Sequence, residues 1–204
     1  VTVPLSPPPN DDPWQAPPPE DDGSAAAPDR ATEVREGVLV LLAVTVTGVA
    51  LGLLWLWLAP RVPLISDGKA VFLENSEGEE AVGADGVFAL LALGFGVLTA
   101  VGAFLYRRRG GVPLVVGLAL GGILASVLAW RLGVWLGPDP DVAAHARSVG
   151  RGVPFDAPLK LTAKGMLLAW PIAAMVTHLL LTALFAPRDP EPLPPAPAAW
   201  PPRT

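Results

Sequence analysis

Few side chains in the apolar part of this chain are equipped for chemistry. Arg131 lies in GLALGGILASVLAWRLGVWLG, residues 117–137, and Trp170, Pro171 and His178 lie in GMLLAWPIAAMVTHLLLTALFA, residues 165–186. A guanidinium or imidazole in such surroundings can hold an anion, relay a proton or line a solute path. A relay needs partners, and no apolar run contributes an interior Asp or Glu. His178 is therefore read as a neutral imidazole bonded to Thr47, Thr99, Thr177 or the backbone. Two readings fit Arg131. It lies about 9 Å below the Gly137 boundary at helical rise, so its stem can carry the charge up to the headgroups. Alternatively it stacks on Trp170 or Trp135, or bonds the Leu167 carbonyl that Pro171 frees.

Elsewhere the chemistry thins out. The chain has no cysteine, which removes disulfides, thiolate metal sites and thiol nucleophiles. His145, followed by Arg147, offers neither a metal pair nor a triad. ENSEGEE, residues 74–80, lacks the alternating ligand spacing of a calcium loop and reads as a solvated turn. There is no Walker-type glycine loop, so the chain does not drive itself with ATP. The sequence leads us to expect no cofactor, no metal, no nucleic-acid partner, no assignable small-molecule ligand and no enzymatic activity.

What would position these groups is a membrane. Of 204 residues, 51% are apolar and only 16% charged, with formal net charge −5 and mean hydropathy +0.47. Soluble domains carry about a quarter charged residues. A span needs about 20 apolar residues to cross hydrocarbon. Four stretches reach that length, at 38–59, 86–106, 113–136 and 165–186. The first starts late and runs too long for a cleavable signal peptide. The expected fold is an all-α membrane protein: a four-helix bundle of two hairpins spanning 36–186, with loops 60–85 and 137–164 forming a small extracytoplasmic cap. The tails, 1–35 and 187–204, are rich in proline and poor in branched apolar residues, and are expected to be disordered.

Arg107, Arg108 and Arg109 sit together in the shortest loop and place it, with both termini, on the cytoplasmic side. The excess of arginine over lysine, with Ala, Gly, Pro, Val and Leu dominant, points to a GC-rich bacterial genome and hence a bacterial plasma membrane. Trp55, Trp57, Trp130, Trp135 and Trp170 fall toward the opposite face and read as one interfacial girdle, with Tyr106 on the near side. In the first outer loop, KAVFLENSEGEEAV reads as a β-hairpin turning at 75–78. The second loop is read as a short helix at 141–148 and an extended piece near 153–162. Acids dominate the first loop and bases the second, so the two are expected to dock by charge.

Small residues recur every fourth place in the third span: Gly117, Gly121, Ala125, Ala129 and Gly133, ending at Gly137. Gly48 and Gly52 in the first span, Ala92, Gly96 and Ala100 in the second, and Ala169, Ala173 and Thr177 in the fourth repeat the pattern. Such lines let helix backbones approach in lipid. The third span is thus expected at the centre of the bundle, with a homodimer face as the competing use of its ridge. WLAP at 57–60 matches WLGP at 135–138, and ADGVFALLA at 84–92 matches AKGMLLA at 163–169. This fits either shared membrane-boundary chemistry or tandem duplication of one hairpin into parallel repeats.

The runs LGLLWLWLAPRVPL, EGEEAVGADG, RRRGG and GLALGGILASVLAWRLGVWLGP resemble a family of small actinobacterial membrane proteins, of the kind found in Streptomyces-type genomes. The resemblance covers residues 33 to about 190. It implies a four-span inner-membrane protein and brings no catalytic residues. The label ABC transporter permease sometimes attached to that family implies a coupling helix and five or six spans, which this chain lacks. Two roles remain: an accessory or scaffold subunit acting with itself or another membrane protein, or a transporter or permease component with Arg131, Trp170, Pro171 and His178 along a path.

Overall fold

The computed structural model describes residues 30–75, 79–108 and 110–185. The expected disorder at 1–29 and 187–204, the turn at 76–78 and the side chain of Arg109 lie outside the described residues. The elements are α1 (Arg30–Leu58), β1 (Pro63–Ser66), β2 (Val71–Leu73), α2 (Glu80–Tyr106), α3 (Val112–Leu136), α4 (Val142–Val149), β3 (Phe155–Asp156) and α5 (Ala169–Phe185), the last preceded by a 3₁₀ turn at Lys164–Leu168. Four helices are long and apolar enough to cross a membrane. The chain is an all-α membrane bundle capped at one end by a small sheet.

Two helices begin earlier than hydropathy alone placed them. α1 starts at Arg30, inside the expected tail, and α2 at Glu80, which shortens the loop expected at 60–85. The α1 extension is rich in charged residues and the α2 extension is bounded by Glu80 and Asp85, so neither joins an unbroken apolar run. Each carries an acid in its first turn, where the helix dipole favours it. The α1 extension is also held from outside. Glu36 pairs with Arg107 at the end of α2, and the Glu33 carboxylate lies against Gly111 at the start of α3.

Side chains are distributed inside out relative to a soluble bundle. Leu90 is 71% exposed, Leu98 67% and Leu179 68%, whereas Gly48, Gly52, Ala92, Gly96, Ala100, Gly117, Gly121, Ala125, Ala129 and Gly133 are buried. Large apolar groups gain nothing by leaving lipid, so close contact between backbones decides what goes inside. The two principal contacts are α1 with α3 and α2 with α5. A Cβ on Gly48 would stand 2.5 Å from the Ala125 carbonyl oxygen, and one on Gly52 would stand 2.8 Å from that of Ala129. Nearer the arginine end, Gly37 and Gly117 meet Pro113 and Gly37 in the same way. Partners rise together along both helices, so α1 and α3 run parallel. The ridge of α3 faces α1 within the chain, which takes it out of use as a homodimer face. α3 is the most buried span, with 44% of its apolar stretch inside against 28–33% for the others.

The second pair repeats this geometry. Gly96 of α2 lies against the Trp170 carbonyl, Ala173 and Ala174 of α5. These partners and those of α1 and α3 are separated by about the same sequence distance as Asp85 and Thr162, 77 residues. That distance is within two residues of the offsets at which the two hairpins match in sequence, 78 for WLAP against WLGP and 79 for ADG against AKG. Corresponding helices of the two hairpins thus pack side by side.

The cap differs in detail from its sequence reading. The strands form one antiparallel sheet of order β2-β1-β3, with Leu64 opposite Leu73 on one side and Phe155 on the other. The hairpin therefore turns at SDGKA, not at 75–78, and the run expected as its second strand is the start of α2. The Asp67 carboxylate accepts from the amides of Lys69 and Ala70 at 2.7 and 2.8 Å, and Gly68 takes a φ of 89°. This Asp-Gly turn is better specified than one built on ENSEG. α4 and the extended chain after it fall where expected, and Asp141 caps α4 by accepting from the Ala144 amide.

A matched pair of glycines tests the packing. Gly94 has nothing within 4 Å of an added Cβ. Gly48→Ala is expected to destabilise the bundle by about 1–3 kcal/mol, while Gly94→Ala changes stability by less than about 1 kcal/mol. Thermal unfolding in mild detergent reads the difference, and equal effects would contradict the close-contact account.

Candidate functional site

The groups singled out for chemistry do not converge. Arg131 is exposed on α3, and its guanidinium carbon lies 4.8 Å from the ring centroid of Trp130, its neighbour in sequence. The expected partners, Trp170, Trp135 and the Leu167 carbonyl, are corrected to Trp130. The reason lies in α5. Its first residues are a 3₁₀ turn, and Pro171 sits in the first turn of the α-helix proper, where its missing N–H breaks no established ladder. No mid-span kink opens toward Arg131. Trp130 also receives Lys164, whose Nζ lies 4.0 Å from the ring centroid and donates to the Leu161 carbonyl at 2.6 Å. One indole thus takes two cations near the cap end of the spans.

Trp170 and Pro171 are closed into helix contacts. Trp170 is fully buried, donates from Nε1 to Thr99 Oγ1 at 3.1 Å and packs on Phe95 with ring centroids 5.3 Å apart. Gly122 of α3 lies against both residues. Trp55 plays the same part for the other hairpin. It is fully buried, donates to the Ala84 carbonyl at 2.8 Å, meets Phe88 edge-on at 5.2 Å and fills the space opposite Gly133. Each indole N–H is satisfied across helices, as burial in an apolar core requires. The expected girdle is accordingly reduced: Trp57 and Trp135 are 81% and 80% exposed, while Trp55 and Trp170 are core. WLW spacing contains this signal, because residues two apart point about 200° apart on a helix.

His178 is buried on α5, meets Phe104 of α2 edge-on, and its Nδ1 has no hydrogen-bond partner among the described residues. The threonine bonds expected for it are not formed by Thr47 or Thr99. Those hydroxyls donate to carbonyls of their own helices, Val44 for Thr47 and Phe95 and Gly96 for Thr99. His178 lines a pocket at the arginine end with Arg108 and Thr182, apart from Arg131, Trp170 and Pro171. Of the three expected topology arginines, Arg107 is paired with Glu36 and Arg108 is exposed.

Two carboxylates that sequence reading passed over organise the cap. Asp85 is buried in α2 and accepts from the amides of Thr162 and Ala163 at 2.9 and 2.7 Å. It fixes the chain that leads into the fourth span. Asp67, in the hairpin turn, is held below the ordinary aspartate pKa by the Ala70 and Lys69 amides, with a smaller contribution from Arg151. The loops are joined by sheet pairing, by Asp85 and by Arg151 Nε donating to the Asp67 carbonyl. Among the described residues no ion pair joins the two loops; the attraction of Arg151 for Asp67 is a minor part of docking, and main-chain bonding is the larger one.

The chain matches no known protein family, no curated protein and no solved structure. What its own fold defines is an integral, multi-pass membrane protein with four spans.

Two outcomes test the cap. Asp85→Ala removes two charge-assisted bonds to part-buried amides and is expected to cost about 1.5–3 kcal/mol, while Asp85→Asn keeps one acceptor and loses less; thermal unfolding in detergent measures both. Because folding lowers the Asp67 pKa, its contribution is present above the ordinary aspartate pKa and fades as pH falls through the lowered folded value. Hydrogen exchange at the Lys69 and Ala70 amides should accelerate only in that acid range. Acceleration already at neutral pH would contradict the turn.

Proposed function

We propose that this chain is a non-enzymatic accessory or scaffold subunit of a bacterial cytoplasmic membrane, related to the actinobacterial four-span family that its sequence resembles. Both termini lie in the cytoplasm and the sheet-and-helix cap lies outside. The observation that carries this reading is the mode of packing. All four spans close on one another through glycine and alanine contacts, and the cap is bonded to the top of the bundle by Asp85. Such a body is a rigid platform in lipid. Transport through this chain would call for ionisable groups along one path. Instead Arg131 is exposed, Trp170 and Pro171 are sealed between helices, and His178 faces a separate pocket.

An accessory subunit presents surface to a partner. A groove of about 450 Å³ runs between α1 and α2 in the arginine half, with Ala43, Gly102 and Ala103 in its wall. Small residues there leave room for a further membrane helix to approach, which supports partnership within the bilayer. Native mass measurement of the protein extracted in mild detergent is expected to show a complex with a different membrane protein. A homo-oligomer alone would overturn the accessory role and favour a carrier.

A further inference from the structure

Two neighbouring clefts of the cap are lined by five basic side chains. The first encloses about 260 Å³ between the hairpin, α4 and the chain at 157–162, and its charged lining residues are Arg61 and Lys160. The second, of about 370 Å³, follows the same seam between hairpin and α4, and is lined by Lys69, Arg147 and Arg151. No acidic side chain lines either cleft. Among the described residues none of the five bases forms an ion pair. Of the nearby acids, Asp67 bonds the Lys69 and Ala70 amides and also feels the charge of Arg151, and Asp85 is taken up by the Thr162 and Ala163 amides.

Arg61 is the most telling of the five. Its Nη2 donates to the Leu56 carbonyl at 2.8 Å, which fixes the guanidinium over the end of α1. Its Nη1 is buried and has no hydrogen-bond partner among the described residues. A guanidinium nitrogen shielded from water without an acceptor carries a desolvation cost that an anionic oxygen would relieve. The planar fork of arginine suits phosphate oxygens in particular. Arg147 and Arg151 donate from Nε to the Ala143 and Asp67 carbonyls, which orients them without neutralising their charge. Leu64 and Leu73 form apolar walls beside Arg61, so the first cleft accepts a charged group on a carbon body. Its position just beyond Leu58 sets it at the membrane boundary.

We propose that the cap binds a phosphate group, anchored by Arg61 and Lys160 in the first cleft, with Lys69, Arg147 and Arg151 attracting further negative charge along the seam. The group is carried either by an anionic phospholipid headgroup or by a soluble phosphate ester. This inference is independent of the accessory role.

The test uses the full chain in mild detergent. One arm titrates inorganic pyrophosphate at fixed ionic strength and follows binding by calorimetry. The other exposes the protein to vesicles of phosphatidylglycerol or of phosphatidylcholine and measures retained lipid by native mass spectrometry. Saturable binding in either arm is expected, with phosphatidylglycerol preferred over phosphatidylcholine where lipid is the source. Arg61→Gln should weaken it about tenfold, the order of one charge-assisted bond, and Lys160→Gln about threefold. Arg131→Gln, which removes an arginine outside the cap, should leave it unchanged. Lys160 is exposed, so its variant folds even if Arg61→Gln does not. Binding of lipid alone identifies a headgroup, and binding of pyrophosphate alone identifies a soluble ester. Absence of binding in both arms overturns the proposal, as does equal weakening by Arg131→Gln or undiminished binding in Lys160→Gln.

Discussion

Everything else in the bundle follows from the contact of α1 with α3, where backbone meets backbone. At Gly48 and Gly52 there is no room for a Cβ before the main chain of Ala125 and Ala129. In water such a seam would be a weak way to hold helices, because it buries little hydrocarbon. In lipid, hydrocarbon burial is not what associates helices, and proximity with its dispersion contacts and main-chain complementarity is. Once the small residues are committed to the seam, the leucines and valines between them must turn outward. The exposed Leu90, Leu98 and Leu179 are that consequence on the other helices.

The two large buried side chains are accommodated by the same logic. Trp55 occupies the space left where α3 has Gly133, and Trp170 lies where α2 and α3 offer Gly96 and Gly122. Each indole then reaches a partner on α2: the Ala84 carbonyl near the cap for Trp55, and the Thr99 hydroxyl deeper in for Trp170. α2 is thus bonded by both neighbours. Its first turns also carry Asp85, which extends the order of the membrane region into the cap. The cap needs little core of its own. Leu159 and Leu161 join the bundle's cluster of buried residues, and the sheet is completed by strands from both loops.

Much of the fold was legible in the residues. Spans, order of elements, the small-residue seam and the helix at Val142–Val149 all follow from local composition and period. Function-bearing contacts were less accessible. Pro171 suggested a freed Leu167 carbonyl for Arg131, but its consequence depended on where α5 starts, and a 3₁₀ turn at Lys164–Leu168 moves that start. In the first loop the apolar runs pointed to a hairpin turning at 75–78, whereas the hairpin turns at SDGKA, where Asp67 and Gly68 satisfy the turn's amides and its left-handed φ. Charges on the loops suggested mutual docking, whereas sheet pairing joins the loops and leaves the basic residues lining clefts.

By itself the sequence determined solvent and length scale: apolar runs of membrane thickness, and glycines where helices must come close. Those properties are local, because each depends on what a segment carries and not on what it meets. Tertiary structure alone decided the partners. That Gly48 faces Ala125, that Asp85 holds Thr162 and Ala163, and that Arg61 ends in a cleft with Lys160 are facts about separations of many tens of residues. They are set by which helix faces pair, in which register, and by how the loops then have to cross.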